Sequence, residues 1–179
     1  GRSLYKINKV AGNKVVSDIH FGDWGMPIAL IIAYTEKNNL NINELTFYDF
    51  EDIYPKASSL SKEDDNFYEK SKNISKKLNE KDEFYITKWK IIYNLVIPEI
   101  KKLLEQIGHK FDYYLGESDV VENVEIVLDQ AKKDKKIVVD DSAYISTEKT
   151  DPPILITKSD GSYLYLTTDL GTVHYREEN

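Results

Sequence analysis

Residues Pro27-Ile28-Ala29-Leu30-Ile31-Ile32-Ala33-Tyr34 are apolar on nearly every side of a helical wheel. A helix of that kind offers no face to water, so other elements must enclose it. Its proline suits a first helical turn, where a backbone N–H is not needed. Just upstream, Lys14 to His20 reads as a strand, and Phe21-Gly22-Asp23-Trp24-Gly25-Met26 sets two glycines around Asp-Trp, which makes a sharp turn. Together these form a strand, a glycine turn and a buried helix, the opening of an α/β layer. Such a turn lets backbone N–H groups approach a phosphate, although the spacing is neither G-x-x-x-x-G-K nor G-x-G-x-x-G. At this level Trp24 reads as a packing anchor and His20 as a strand-end residue.

The flanking segments follow the same reading. Leu4, Ile7 and Val10 repeat at three-residue spacing before Gly12-Asn13, the end of a helix. After a polar stretch from Asn38 to Asn43, Leu45 to Phe50 leads into a loop closed by Tyr54-Pro55. Ser61-Lys62-Glu63-Asp64 resembles a capping box that launches a helix with Phe67, Ile74 and Leu78 on one face. A longer helix runs from Glu83 to Ile107, kinked at Pro98 and ended by Gly108. Phe111 to Leu115 is a strand, Gly116-Glu117-Ser118-Asp119 a turn, Val120 to Lys136 a helix, and Ile137 to Ile145 a strand or hairpin. Glu117 and the pair Asp140-Asp141 read as ordinary turn acids rather than as a Mg²⁺ or general acid–base pair.

The last stretch carries the most chemistry. Ile154 to Thr157 is an apolar strand, Asp160-Gly161 a tight turn, and Tyr163 to Leu166 a second strand running into a helix that starts at Thr167-Thr168-Asp169. On this reading Asp169 caps the helix, stays ionised, and shares a crevice with Tyr165 at the strand end. A phenol and a carboxylate so placed suit a cationic partner, above all a planar guanidinium with its fork of donors. The plain alternative is a cap and a packed aromatic.

Composition sets the outer bounds. A chain of 179 residues with 41% hydrophobic content can bury a sizeable core, and no apolar run reaches the ~18–20 residues that span a bilayer. With no cysteine there are neither disulfides nor thiolate metal sites, which fits a cytoplasmic protein, and three scattered histidines make no zinc site. A net charge of −7 is not the basic surface of a nucleic-acid binder, so any RNA contact is local or lies elsewhere. The chain opens Gly1-Arg2-Ser3 and closes a few residues into its last helix, and reads as a segment of something longer.

Three landmarks, in order, resemble the catalytic domain of arginyl-tRNA synthetases, which are class I aminoacyl-tRNA synthetases. They are His20-Phe21-Gly22-Asp23-Trp24-Gly25-Met26-Pro27, similar to H-x-G-D-W-G; Phe111-Asp112 with Gly116-Glu117-Ser118, similar to F-D-x-x-x-G-E-S; and Lys158-Ser159-Asp160-Gly161 with Tyr165-x-Thr167-x-Asp169-Leu170 and Tyr175-Arg176, similar to S-D-G…Y-x-T-x-D-L-A…Y-R. One departure is Gly171, where the family pattern has alanine.

The resemblance implies an α/β fold, a Rossmann-like class I synthetase catalytic core split by an α+β connective insertion and truncated at both ends. The expected division is 1–37 and 154–179 for the core and 38–153 for the insertion. It implies ATP-dependent activation of L-arginine and its transfer to tRNA-Arg, with ATP as a substrate and Mg²⁺ as its companion. It assigns arginine recognition to Tyr165 and Asp169, and a place in the active-site lining to His20, Gly22, Asp23 and Trp24. The HIGH signature that cradles ATP matches nothing in these residues, so the segment is expected to lack adenylate formation on its own. Two other readings stay open: a non-catalytic relic or interaction module with this fold, and a class I synthetase for another amino acid, which the acid at 169 disfavours.

Overall fold

The computed structural model describes residues 1–140, 143–158 and 163–178. Helix α1 (Arg2–Val10) leaves Leu4, Ile7 and Val10 exposed and stops before Gly12, whose φ of 85° ends the turn. Strand β1 (Asp18–Phe21) feeds α2 (Met26–Lys37) through Gly25, whose φ of 73° only glycine adopts freely. Helix α2 is enclosed as its composition demands, with Ala29, Ile32 and Ala33 at 0% exposure.

Three further helices wrap α2. They are α3 (Phe47–Glu63), α4 (Asp65–Asn79) and α5 (Glu83–Gln106). Two expectations are corrected here. The stretch through Tyr54-Pro55 is helix, not loop: Thr46 and Asp49 form a reciprocal capping box, and Phe50, Ile53 and Ala57 are buried on both sides of Pro55. Burial on either side of the proline outweighs the one backbone donor it lacks. The box expected at Ser61 gives way to Asp64, whose side chain accepts from Phe67 N–H at 3.0 Å. In the resulting core Phe67, Ile74, Leu78 and Ile92 are all at most 3% exposed.

Strand β2 (Tyr113–Gly116) returns to lie parallel to β1, in the register Asp18 to Tyr113 and Phe21 to Gly116. The helices α2–α5 are therefore the crossover between two parallel strands, and β2, which falls within 38–153, pairs directly with the first segment. A 3₁₀ turn, Glu117–Asp119, follows, then α6 (Val121–Lys133), and the antiparallel hairpin of β3 (Ile137–Asp140) and β4 (Ala143–Ser146). Residues 154–157 make only isolated bridges, Ile145 to Leu155 and Thr157 to Tyr163. The turn expected at Asp160-Gly161, and Asp141 of the acidic pair, lie outside the described residues.

The final element, α7 (Tyr165–Glu178), begins earlier than its aromatic run led us to expect. The carbonyl of Leu164 accepts from both Thr167 and Thr168 N–H, so Tyr165 opens the helix instead of closing a strand. Asp169 therefore stands one turn inside the helix and is not its cap. The buried Thr167 hydroxyl donates to the Ile156 carbonyl, fixing α7 to the preceding segment. Helix α7 packs along α6, where a β-carbon on Gly171 would come within 2.5 Å of Val124 Cγ2 and 3.1 Å of the Val120 carbonyl. Among the described residues no helix is long and apolar enough to cross a membrane.

Candidate functional site

At the carboxyl end of the parallel pair, where β1 and β2 each turn into the next element, a cavity of about 320 Å³ opens. Crevices at the carboxyl ends of parallel strands are where open α/β sheets take ligands. It is lined by Gly22, Trp24, Gly25, Met26 and Pro27 from the turn before α2, by Tyr54, Asn79 and Tyr163, and by Tyr165 and Thr168 of α7. Glu117 is the acid among the lining side chains and Lys158 the base.

Glu117 stands on the 3₁₀ turn that directly follows β2. Burial pushes its carboxyl up to about 7, and the charges of Asp23 and Asp169 push the same way. Near neutral pH the group is poised between its forms, and a bound cation would draw it to the ionised one. Asp169 is exposed on α7, four residues and one helical turn from Tyr165, so both side chains share a face of that helix. Tyr165, 78% exposed, lines the cavity directly. Asp169 is felt there through its charge on Glu117.

Of the four residues expected in an active-site lining, Gly22 and Trp24 line this cavity. The Trp24 indole N–H donates to Asn79 Oδ1 at 2.9 Å, and its ring meets Trp89 edge-on at 5.2 Å. Asp23 and His20 stand behind the cavity. Asp23 is 6% exposed and accepts from Ser118 N–H at 3.1 Å and from the Ser118 hydroxyl at 2.6 Å. Burial raises its carboxyl above the usual range, while both Ser118 bonds favour the ionised form.

His20 Nε2 lies 3.4 Å from Thr172 Oγ1. That hydroxyl spends its proton on the Thr168 carbonyl, so the imidazole must donate through Nε2. Its buried Nδ1 has no hydrogen-bond partner among the described residues. His20 thus seats α7 on β1.

Sequence reasoning passed over Glu117 as one turn acid among several. The signal that would have found it was its place directly after a strand, in Gly116-Glu117-Ser118. Among the described residues no group of three or more His, Asp or Glu side chains is arranged to hold a metal ion.

The family described as tRNA synthetases class I (R), catalytic domain, matches residues 1–179. The arginine–tRNA ligase of Alkaliphilus oremlandii is 30% identical over 199 aligned positions, covering 100% of this chain and 34% of that protein. The arginine–tRNA ligase of Francisella tularensis subsp. novicida is 29% identical over 198, again covering 100% and 34%. The arginyl-tRNA synthetase of Plasmodium falciparum superposes with a TM-score of 0.73 at 25% identity, over 97% of this chain and 30% of that one. The chain thus spans about a third of the length of the curated relatives it matches. Its α/β architecture is that of a class I synthetase, and with the match running from first residue to last, the chain belongs to the family of arginyl class I tRNA synthetase catalytic domains.

Proposed function

We propose that this chain carries the amino-acid subsite of an arginine–tRNA ligase, and that Glu117, Asp169 and Tyr165 receive the guanidinium of L-arginine. The observation that carries the reading is Glu117: a carboxyl raised to about 7 by burial and two neighbouring acids, facing a largely apolar cavity. An acid in that state gains most from a permanent cation, because the bound charge offsets both the burial and the like-charge repulsion. A guanidinium is always protonated, and its fork satisfies two acceptors at once. Tyr165, first in α7, supplies a further hydroxyl at the mouth, and Lys158 suits the carboxylate or phosphate end of a bound ligand.

In this reading the side chains here bind and orient, and arginine reaches the reacting phosphate already positioned. ATP, the substrate that class I synthetases use, supplies the adenylyl group, and tRNA-Arg accepts the product. Mg²⁺ comes in with the triphosphate, as it commonly does with nucleotide substrates. The protein acts in the cytoplasm, where charged tRNA is used. The parallel pairing of β1 with β2 supports a core that includes residues 111–133, with the connective insertion narrowed to α3–α5.

The test is arginine-dependent ATP–pyrophosphate exchange by the full-length protein. Glu117→Gln and Asp169→Ala are each expected to raise the KM for arginine by about tenfold or more, the cost of a lost charge-assisted bond, with the KM for ATP nearly unchanged. A normal arginine KM in both variants overturns the reading.

A further inference from the structure

Asp23 touches no cavity surface of the proposed subsite, yet it is the most tightly engaged acid near it. Its carboxylate bridges 95 residues of sequence to take two donors from one residue, Ser118. From behind, its backbone carbonyl accepts from the Trp89 indole N–H at 2.7 Å, tying it to α5. Below it Gly116 leaves room for nothing else, since a β-carbon there would stand 2.4 Å from Asp23 Oδ1. Gly116 N–H in turn donates to Asp119 Oδ2 at 2.8 Å, closing the 3₁₀ turn. The residue held between Gly116 and Ser118 is Glu117.

We infer that Asp23 is the positioning residue for Glu117: by gripping both donors of Ser118 it sets the turn that delivers the Glu117 carboxylate to the ligand. The inference rests on the reading of Glu117 as a guanidinium acceptor. Only a carboxylate fills the role completely. An asparagine offers one acceptor oxygen and an NH₂ that repels the second donor.

Asp23 also acts at a distance. The other charge that bears on Glu117 is Asp169 on α7; Lys158, Tyr54, Tyr163 and Tyr165 line the same cavity, and Asp119 and Tyr93 bear on Asp23. The charge of Asp23 raises the Glu117 carboxyl and so favours its protonated form until a cation arrives.

The experiment is the pH dependence of kcat/KM for arginine in the exchange reaction of the full-length protein, between pH 6 and 9, for Asp23→Asn, Ser118→Ala and Glu117→Gln. The wild type loses kcat/KM on the acid side with a midpoint near the Glu117 value of about 7. Asp23→Asn is expected to raise the arginine KM about tenfold through the broken grip, and to move the acid midpoint to lower pH because a charge beside Glu117 is gone. Ser118→Ala keeps Asp23 and its charge but loses the hydroxyl bond, so it raises the arginine KM by a smaller factor and leaves the midpoint in place. A scaffold role for Asp23 would move KM or kcat without moving the midpoint.

If Asp23→Asn and Ser118→Ala both retain the wild-type arginine KM and midpoint while Glu117→Gln loses affinity, the positioning role is overturned and the subsite stands. If Glu117→Gln itself binds arginine normally, the subsite reading falls and takes this inference with it. Should Asp23→Asn fail to fold, Ser118→Ala decides alone, and an unchanged arginine KM there overturns the proposal.

Discussion

In the helical block α2–α5, buried hydroxyls serve their own helix. Thr35 donates to the Ile32 carbonyl and Ser71 to that of Phe67, and the space between helices is filled by Ile32, Ile74, Leu78 and Ile92. Around β1, β2, β4, residues 154–157 and α7, several buried polar side chains also reach across elements. Ser118 binds Asp23, the Thr167 hydroxyl takes the Ile156 carbonyl, Thr157 accepts from Tyr144 N–H, and Thr172 meets His20. The first block is held by apolar area, which is tolerant of direction. The second has its own apolar cluster at Val124, Leu128, Ile137 and Ile156 and adds directed bonds between segments distant in sequence, and such bonds set the positions of side chains that a receptor needs.

The contrast can be broken by substitution. The largest effect belongs to the helical block: Leu78→Ala, at a site with 0% exposure, is expected to cost ~2–5 kcal/mol in urea unfolding, while arginine KM holds in the molecules that remain folded. Next is Gly171→Ala at the α6–α7 contact. Alanine gains up to ~1 kcal/mol of helix propensity, but its methyl meets the Val120 carbonyl and Val124 too closely, an overpacking of ~1–3 kcal/mol. The balance is a modest net loss of stability, together with a rise in arginine KM that Leu78→Ala does not share.

Glu117→Gln sharpens the comparison through pH. The folded-state pKa, about 7, lies above the ordinary 4.5, so the proton favours folding: that contribution is whole below 4.5 and is lost as pH rises through 7. The variant is therefore expected to melt higher than wild type at pH 8 and alike at pH 4, even as it loses arginine affinity. Smallest in stability is Asp169→Asn. It lies on an exposed face of α7, so its melting temperature stays within the range of a surface change, about ±0.5 kcal/mol, and the whole effect falls on arginine KM.

These two blocks were also unequally legible in the sequence. Apolar repeats with capping and stop residues located α2, α4, α5 and α6 to within a few residues, because burial in that block follows periodicity. Helix α3 escaped because Tyr54-Pro55 read as the close of a loop and the Thr46–Asp49 cap went unread. Tyr163 to Leu166 misled in the opposite sense: alternation of Tyr and Leu looked extended, whereas the Leu164 carbonyl starts a helix there. At the site, the four-residue spacing of Tyr165 and Asp169 was readable, but their place on one helix, rather than at a strand end and a cap, was not. The weight of Glu117 was not, since it depends on Asp23 and Asp169, which only the tertiary fold brings near it.

The missing methyl at Gly171 reaches further than helix packing. It lets α7 settle against α6 at a separation that a family member with alanine at that position cannot match without shifting one helix. Because Tyr165 and Asp169 ride on the same rigid rod, the gap between them and Glu117 is calibrated from a position that never meets the ligand. A residue outside the cavity can thus set its width.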